Sequence, residues 1–217
     1  MFERVKAQPD LWLLVSLVFV ILAYPALDHG IFRRLILGAL NFVPVMVATV
    51  RLSRLKGWVW SSILLMIGIL ILTIIGTIFP TPAVLGMKWC VATVFYGLTA
   101  VGLFSYLKNA RSISSEHLYT AVSVYLMIGI MWFALYNAID VLTPGSIVRN
   151  TGKTTDPQTD LLYFSLVTLS TVGYGDIVAV HPEVRMLAAL EAIVGVLYIA
   201  IMVSILVSAY KRPTEER

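Results

Sequence analysis

The sequence predicts an all-α integral membrane protein, and three observations lead to this class. The 217 residues are 59% hydrophobic and only 13% charged. Their mean hydropathy is +0.89, which is far too high for a soluble globular domain. Long apolar runs alternate with short polar linkers, and about 20 apolar residues suffice for a helix to cross the hydrocarbon core. We therefore expect a multi-pass membrane protein that contacts lipid.

Six long apolar runs are predicted to be membrane-spanning helices. Asp10 is expected to cap the first run, and Pro44 to kink the second. The first run could instead be a cleaved signal peptide, since a basic start precedes it and 23–26 faintly resembles a cleavage site. The runs are 11–26, 35–50, 58–79, about 87–107, about 118–141 and 186–210.

A seventh apolar segment, 161–170, is too short to cross the membrane as a helix. It follows the longest polar stretch, 143–160, which is rich in Thr, Gly and Pro. Asp156 and Pro157 suit the cap and first turn of a helix. The pattern predicts a re-entrant helix that enters the membrane and turns back, between the fifth and sixth spans.

Residues 171–176, which read Thr-Val-Gly-Tyr-Gly-Asp, are the most informative stretch. Glycines at alternate positions let the backbone alternate between left- and right-handed regions, so that successive carbonyls can point to one side. Four such ribbons around an axis would form oxygen cages that replace the water shell of a monovalent cation. Gly-Tyr-Gly-Asp alone would be read as a turn, but the preceding Thr-Val and the flanking apolar helices favour a channel.

Residues 163–176, Tyr-Phe-Ser-Leu-Val-Thr-Leu-Ser-Thr-Val-Gly-Tyr-Gly-Asp, resemble the pore helix and selectivity filter of the pore-loop potassium channel superfamily. The resemblance is specific for 161–176, moderate up to 210 and only positional for 1–110. It implies a homotetramer that conducts K⁺ and needs no cofactor beyond that permeant ion. The implied filter residues are Thr171, Val172, Gly173, Tyr174 and Gly175, the first four of which would coordinate K⁺.

The same resemblance divides the chain and assigns further roles. Residues 1–110 would form a four-helix module, 111–210 the pore domain and 211–217 a short cytoplasmic tail. Asp176 would form a carboxylate ring at the outer mouth. Val167 stands where some members carry a Glu that hydrogen-bonds the Asp behind the filter, so that contact is expected to be absent.

Several residues are expected to support the filter from behind. Tyr163 and Phe164, where the family often has Trp, would pack against the side chains of Val172 and Tyr174. Glu191 is an ionisable residue in an apolar run, which is a functional hypothesis by default. We expect it near Thr168 or Ser170 of the pore helix, in a form that could be protonated, where it would stiffen the filter.

The last apolar run is expected to line an inner cavity. Gly195 occupies the place of the family's gating-hinge glycine, although close packing against the pore helix would also explain a glycine there. One helical face would line the cavity, and a narrowing at either of its last two residues could close the pore by dewetting. That face carries Val196, Ile199, Val203 and Val207.

Charge placement predicts the orientation and weak voltage dependence. With six spans, ten of the 16 basic residues fall on the side of the two termini, which predicts cytoplasmic termini in a plasma or bacterial inner membrane. This lipid-facing excess explains the net charge of +4 better than a nucleic-acid partner does. The fourth run has no Lys or Arg between Trp89 and Leu107, whereas a voltage sensor needs several.

The sequence contains few features that are typical of other functional classes. Cys90 is the single cysteine, and the histidines His29, His117 and His181 are scattered, so neither an internal disulfide nor a metal cluster is expected. We see no nucleophile–base pair for an enzyme and no inverted repeat for a carrier. A non-conducting scaffold would not need Gly173 and Gly175, and a poorly selective cation pore stays the alternative within the channel class.

Overall fold

The computed structural model describes residues 9–26, 44, 56–108, 114–149 and 156–210. These residues are mostly helical, and the labels below count the described elements in chain order. The helices are α1 (Pro9–Ala26), α2 (Lys56–Ile78), α3 (Pro82–Lys108), α4 (Ser115–Leu142), α5 (Pro157–Leu169) and α6 (Pro182–Tyr210). The strands are β1 (Ile147–Arg149) and β2 (Ile177–Ala179).

Four of the described helices contain segments long and apolar enough to cross a membrane, which makes the chain a multi-pass membrane protein. The apolar part of α2, Ile63–Ile78, is shorter. Most of the predicted second run, 35–50, lies outside the described residues, so the count of six spans stays a prediction. The four segments are Pro9–Ala26, Pro82–Lys108, Ser115–Leu142 and Pro182–Ile205.

Helices α3 and α6 begin furthest ahead of the predicted apolar runs, and a proline explains both cases. Helix α3 starts at Pro82 and not at about 87, and α6 starts at Pro182 and not at 186. Proline fits the first turn because its missing N–H would have no partner there and its φ is already helical. The Val84 N–H donates to Thr81 Oγ1 at 3.4 Å, which places Thr81 at the cap.

Helix α4 lies at the centre of the described bundle. It packs against α1, α3, α5 and α6, while α2 packs against α3. Leu13 and Leu17 of α1 are fully buried in the same core as Met127 of α4 and Leu103 of α3. One hydrophobic core therefore joins the first helices to the segment that carries the filter-like sequence.

A two-stranded ribbon modifies the predicted all-α class. Strands β1 and β2 pair antiparallel, with Val148 opposite Val178, and the Val180 N–H donates to the Ser146 carbonyl at 3.0 Å. Strand β1 precedes α5, and β2 follows the loop, so the ribbon joins the chain segments on either side of α5 and the loop. The sequence did not predict these strands because three residues are too few to show an alternating pattern.

The N-terminus of α5 is capped as predicted. The Thr159 N–H donates to Asp156 Oδ2 at 2.9 Å, and Pro157 occupies the first turn. An acidic side chain also suits the partial positive charge at this helix end.

Replacing Asp156 by Ala should lower the free energy of unfolding by about 1 kcal/mol, because the partly buried Thr159 N–H loses its acceptor. Chemical unfolding of the purified protein in detergent would measure this. Asp156→Asn is the matched control, since it keeps the acceptor oxygen. A loss as large in Asp156→Asn as in Asp156→Ala would show that the cap is not what stabilises this end.

Candidate functional site

The loop after α5 has an alternating backbone. Thr171, Gly173 and Gly175 have positive φ angles of 61°, 50° and 80°. Thr171 is also the one residue other than glycine with positive φ in the described part of the chain. A β-branched residue in this region is strained, and such strain is characteristic of functional sites. The alternation expected from the two glycines is therefore present and extends one step further, to Thr171.

The start of this loop is tied to the last turn of α5. The N–H groups of Val172 and Gly173 both donate to the Val167 carbonyl, at 2.9 and 3.2 Å. The Thr171 N–H donates to the Thr168 carbonyl at 2.9 Å. The carbonyls of a last helical turn have no partner within the helix, so these bonds satisfy both the helix end and the loop. The loop consequently leaves α5 in a fixed direction.

Tyr163 connects α5 to the far end of the loop. Its ring stacks on Tyr174 with centroids 6.4 Å apart and planes 7° apart. The Asp176 side chain also lies close enough to Tyr163 to interact with it electrostatically. The expected packing of Tyr163 against Tyr174 is therefore present. The Asp176 carboxylate additionally accepts the Ile177 N–H at 3.1 Å.

Phe164 lies elsewhere than expected. It is buried, and its ring meets Tyr136 of α4 edge-on with centroids 5.0 Å apart. Consecutive residues of a helix point about 100° apart, so Tyr163 and Phe164 cannot both face the loop. Phe164 therefore holds α5 against α4, and any support it gives the loop passes through α5.

Glu191 is fully buried, but its partners are not those predicted. Its Oε2 accepts the Tyr136 hydroxyl at 2.6 Å, and its Oε1 lies 2.6 Å from Ser165 Oγ. Thr168 and Ser170 were expected there, yet the Ser170 hydroxyl donates back to its own helix at Leu166, at 2.8 Å. The prediction placed Glu191 about one turn too far along α5.

The contact at Gly195 explains this register. A Cβ built on Gly195 would lie 1.9 Å from the Leu169 carbonyl oxygen, so α5 and α6 touch there through their backbones. One turn earlier on both helices, Glu191 lies opposite Ser165. The Tyr125 hydroxyl donates to the same Leu169 carbonyl at 3.2 Å. Close packing of Gly195 thus has a direct structural basis, whereas its role as a hinge stays a prediction.

The rest of α6 is fixed on one side and open on the other. The Tyr198 hydroxyl donates to the Ala121 carbonyl of α4 at 2.6 Å, and Met202 is buried on the same side. The predicted cavity-lining residues lie away from this contact and are about half exposed in the single chain. They are Val196, Ile199, Val203 and Val207, with exposed fractions of 55%, 51%, 53% and 50%.

An ion pair missed by the sequence analysis joins the ribbon to α5. Arg149 Nε lies 2.6 Å from Asp160 Oδ2, and Arg149 Nη2 donates to the Pro157 carbonyl at 3.3 Å. Arg149 and Asp160 carry opposite charges on either side of the predicted cap, and this is the feature of the sequence that could have indicated the pair.

Cys90 and the described histidines lie in separate places. Among the residues that the structure describes, no three His, Cys, Asp or Glu side chains form a group able to hold a metal ion. Cys90 is exposed, and His117 stacks on Tyr106 with centroids 5.5 Å apart. His29 lies outside the described residues.

Comparison with known proteins gives matches that each cover less than half of the chain. A family model described as "Ion channel" matches residues 138–212. The inward rectifier potassium channel Kirbac3.1 of Paramagnetospirillum magnetotacticum is 32% identical over 77 residues, which are 36% of this chain and 25% of that protein. The two pore potassium channel a of Oryza sativa subsp. japonica is 35% identical over 81 residues, or 37% of this chain and 20% of the relative.

The rice two pore potassium channel c is 32% identical over 92 residues, which are 42% of this chain and 18% of that protein. The chain thus spans a quarter or less of the length of these curated relatives. No solved structure matches it significantly. The part of the chain that carries α5, the loop and α6 is thus similar to an ion-channel family, and the curated relatives that the chain matches are potassium channels.

Gly195→Ala should destabilise the protein by about 1–3 kcal/mol, because the added methyl group meets a backbone carbonyl that cannot rotate away. Thermal unfolding in detergent would measure the loss. Gly68→Ala in α2 is the matched control, since the nearest atom to its added Cβ is 3.9 Å away.

A double variant separates packing from flexibility. Val194→Gly with Gly195→Ala restores a flexible residue to the helix but leaves the methyl group at position 195. Close packing predicts that this variant stays destabilised. Wild-type stability in Gly195→Ala itself would contradict the packing role.

Proposed function

We propose that the protein conducts K⁺ passively and selectively through a filter built from residues 171–175 of four chains. The observation that carries this proposal is the positive φ at Thr171, Gly173 and Gly175 in the sequence Thr-Val-Gly-Tyr-Gly. Alternation of backbone handedness is what allows successive carbonyls to point to one side. The K⁺ ligands would be the carbonyls of Thr171, Val172, Gly173 and Tyr174, together with the Thr171 hydroxyl.

The surrounding contacts support such a filter. Helix α5 would act as the pore helix, and its C-terminal end carries the partial negative charge that favours a cation in the low-dielectric membrane. The bonds from Val167 and Thr168 fix the inner end of the loop, and Tyr163 holds its outer end. Neighbouring K⁺ ions would then repel one another and so move in single file through a filter of constant diameter. Asp176 would raise the cation concentration at the outer mouth.

A fourfold homotetramer follows from this proposal, since one chain supplies one ribbon and an oxygen cage needs four. Two features of the single chain support assembly. Val172 and Tyr174 of the loop are 52% and 71% exposed. Large apolar side chains of α6 are also exposed on a broad face, and several of them would be covered by neighbouring chains while others line the cavity.

Conduction should depend only weakly on voltage. Helix α3 has no Lys or Arg between Trp89 and Leu107, so it lacks the charges that a voltage sensor moves through the membrane field. We place the channel in the cell membrane, or the inner membrane of a bacterium, with both termini cytoplasmic. It needs no cofactor and catalyses no reaction.

The purified protein in planar bilayers, under opposed K⁺ and Na⁺ gradients, should give a current that reverses near the potassium equilibrium potential. Gly173→Ala should abolish that selectivity, because a Cβ strains the positive φ that the filter needs. Gly145→Ala is the matched control. It carries a similar strain at a φ of 85°, in a turn outside the loop, and nothing lies within 4 Å of its added Cβ.

Each outcome of this recording is informative. A reversal potential near zero in the wild-type protein would replace the proposal by a poorly selective cation pore. Equal loss of selectivity in Gly145→Ala and Gly173→Ala would show that general strain, not the filter, is responsible. Silence of the wild-type protein with retained folding would favour a non-conducting scaffold.

Native mass spectrometry of the detergent-solubilised protein should give four times the 24.0 kDa of one chain. The physical reason is that four ribbons are needed to surround one dehydrated ion. A predominant monomer or dimer at the concentration used for the bilayer recordings would contradict the tetramer.

A further inference from the structure

Glu191 is a buried acid that the conduction mechanism above does not use. It lies on α6, while Tyr136 on α4 and Ser165 on α5 reach its two oxygens. Three helices therefore meet at one carboxyl group. Within the described residues, no Lys or Arg forms an ion pair with it.

The number of short oxygen–oxygen contacts around Glu191 can be compared with the number of hydrogen atoms available to bridge them. Tyr136 Oη is 2.6 Å from Glu191 Oε2, Ser165 Oγ is 2.6 Å from Glu191 Oε1, and Ser165 Oγ is 2.8 Å from the Gly129 carbonyl oxygen. Each contact is short enough for a hydrogen bond and needs one hydrogen. The two hydroxyl groups supply one hydrogen each, and a carboxylate or a carbonyl supplies none.

An ionised Glu191 therefore leaves one contact without a hydrogen. If Ser165 donates to Glu191, two lone-pair oxygens face each other at 2.8 Å between Ser165 and Gly129. If Ser165 donates to Gly129, the same conflict arises at 2.6 Å between Ser165 and the carboxylate. A neutral carboxylic acid adds the missing hydrogen, and all the contacts become hydrogen bonds.

We propose that Glu191 is a neutral acid that donates its proton to Ser165 Oγ and thereby acts as the positioning residue for α5. Ser165 in turn donates to the Gly129 carbonyl of α4, and Tyr136 donates to Glu191 Oε2. Its surroundings favour the neutral form. The titratable groups that face it are the hydroxyls of Tyr136, in contact, and Tyr125, further away, both on α4. A buried charge with no cation beside it is costly.

The position of Ser165 explains why this bond matters for the filter. Ser165 lies one turn before Leu169, whose carbonyl touches Gly195, and Val167 between them holds two N–H groups of the loop. The chain from Glu191 through Ser165 to Gly129 fixes α5 between α4 and α6. It therefore sets where the loop begins.

Infrared spectroscopy tests the proton directly. The difference between wild-type and Glu191→Gln spectra at neutral pH should contain the carbonyl stretch of a protonated carboxylic acid. The subtraction removes signals from every other acid of the chain. A difference spectrum with carboxylate bands in place of that stretch would overturn the proposal, and this measurement needs no current, so it is independent of whether the protein conducts.

Two substitutions test the positioning role in bilayer recordings. Glu191→Gln keeps both bonds, because its NH₂ group donates to Ser165 and its carbonyl accepts from Tyr136. It should retain the wild-type K⁺/Na⁺ permeability ratio. Glu191→Leu has a similar size but can make neither bond, and it should lower that ratio by about tenfold, which lies in the range expected for the loss of one or two buried hydrogen bonds. Equal behaviour of the two variants would overturn the positioning role.

Ser165→Ala gives a second infrared test of the proton on Glu191, which can be used if the Glu191→Gln variant does not assemble. The acid proton would lose its acceptor, so the acid carbonyl stretch should move to higher frequency. An unchanged band would show that the proton is not donated to Ser165, which would overturn the proposal.

Discussion

A buried backbone polar group is costly unless the protein supplies a hydrogen-bond partner, and this constraint governs the region after α5. The N–H groups of residues 171–173 take up carbonyls from the last turn of α5, which would otherwise have no partner. The Leu169 carbonyl is met by the Tyr125 hydroxyl and by the bare Cα of Gly195. The end of one helix and the beginning of the loop therefore stabilise each other, and α6 must approach closely enough to complete the arrangement.

Several side-chain bonds between elements of the structure meet at α5. Asp160 pairs with Arg149, Ser165 bonds to Gly129 and Glu191, and Thr159 Oγ1 donates to the Tyr24 carbonyl of α1 at 3.3 Å. A short helix buries little apolar surface, so directional bonds to its neighbours hold it in place. The longer helices contact each other mainly through apolar side chains and need fewer such bonds.

Most of the described helices could be predicted because long apolar runs have few other structures open to them in a lipid environment. The filter-like segment was found because Gly173 and Gly175 have an evident backbone purpose. Side-chain directions on α5 were harder, since the predicted placement of Phe164 and Glu191 depended on a register that only the contact between Gly195 and Leu169 defines. The β-ribbon and the pair of Arg149 with Asp160 join residues separated by a whole helix or loop, so no local pattern announces them.

The ribbon has a consequence for how the chain is assembled in the membrane. Helix α5 has 13 residues, and at about 1.5 Å per residue it is roughly 20 Å long, shorter than the hydrocarbon core of about 30 Å. It cannot be inserted as an independent span. Strand β2 immediately precedes α6, so the ribbon cannot close before that strand has been synthesised. The segment that carries α5 and the loop must therefore take its final place after β2 has been synthesised.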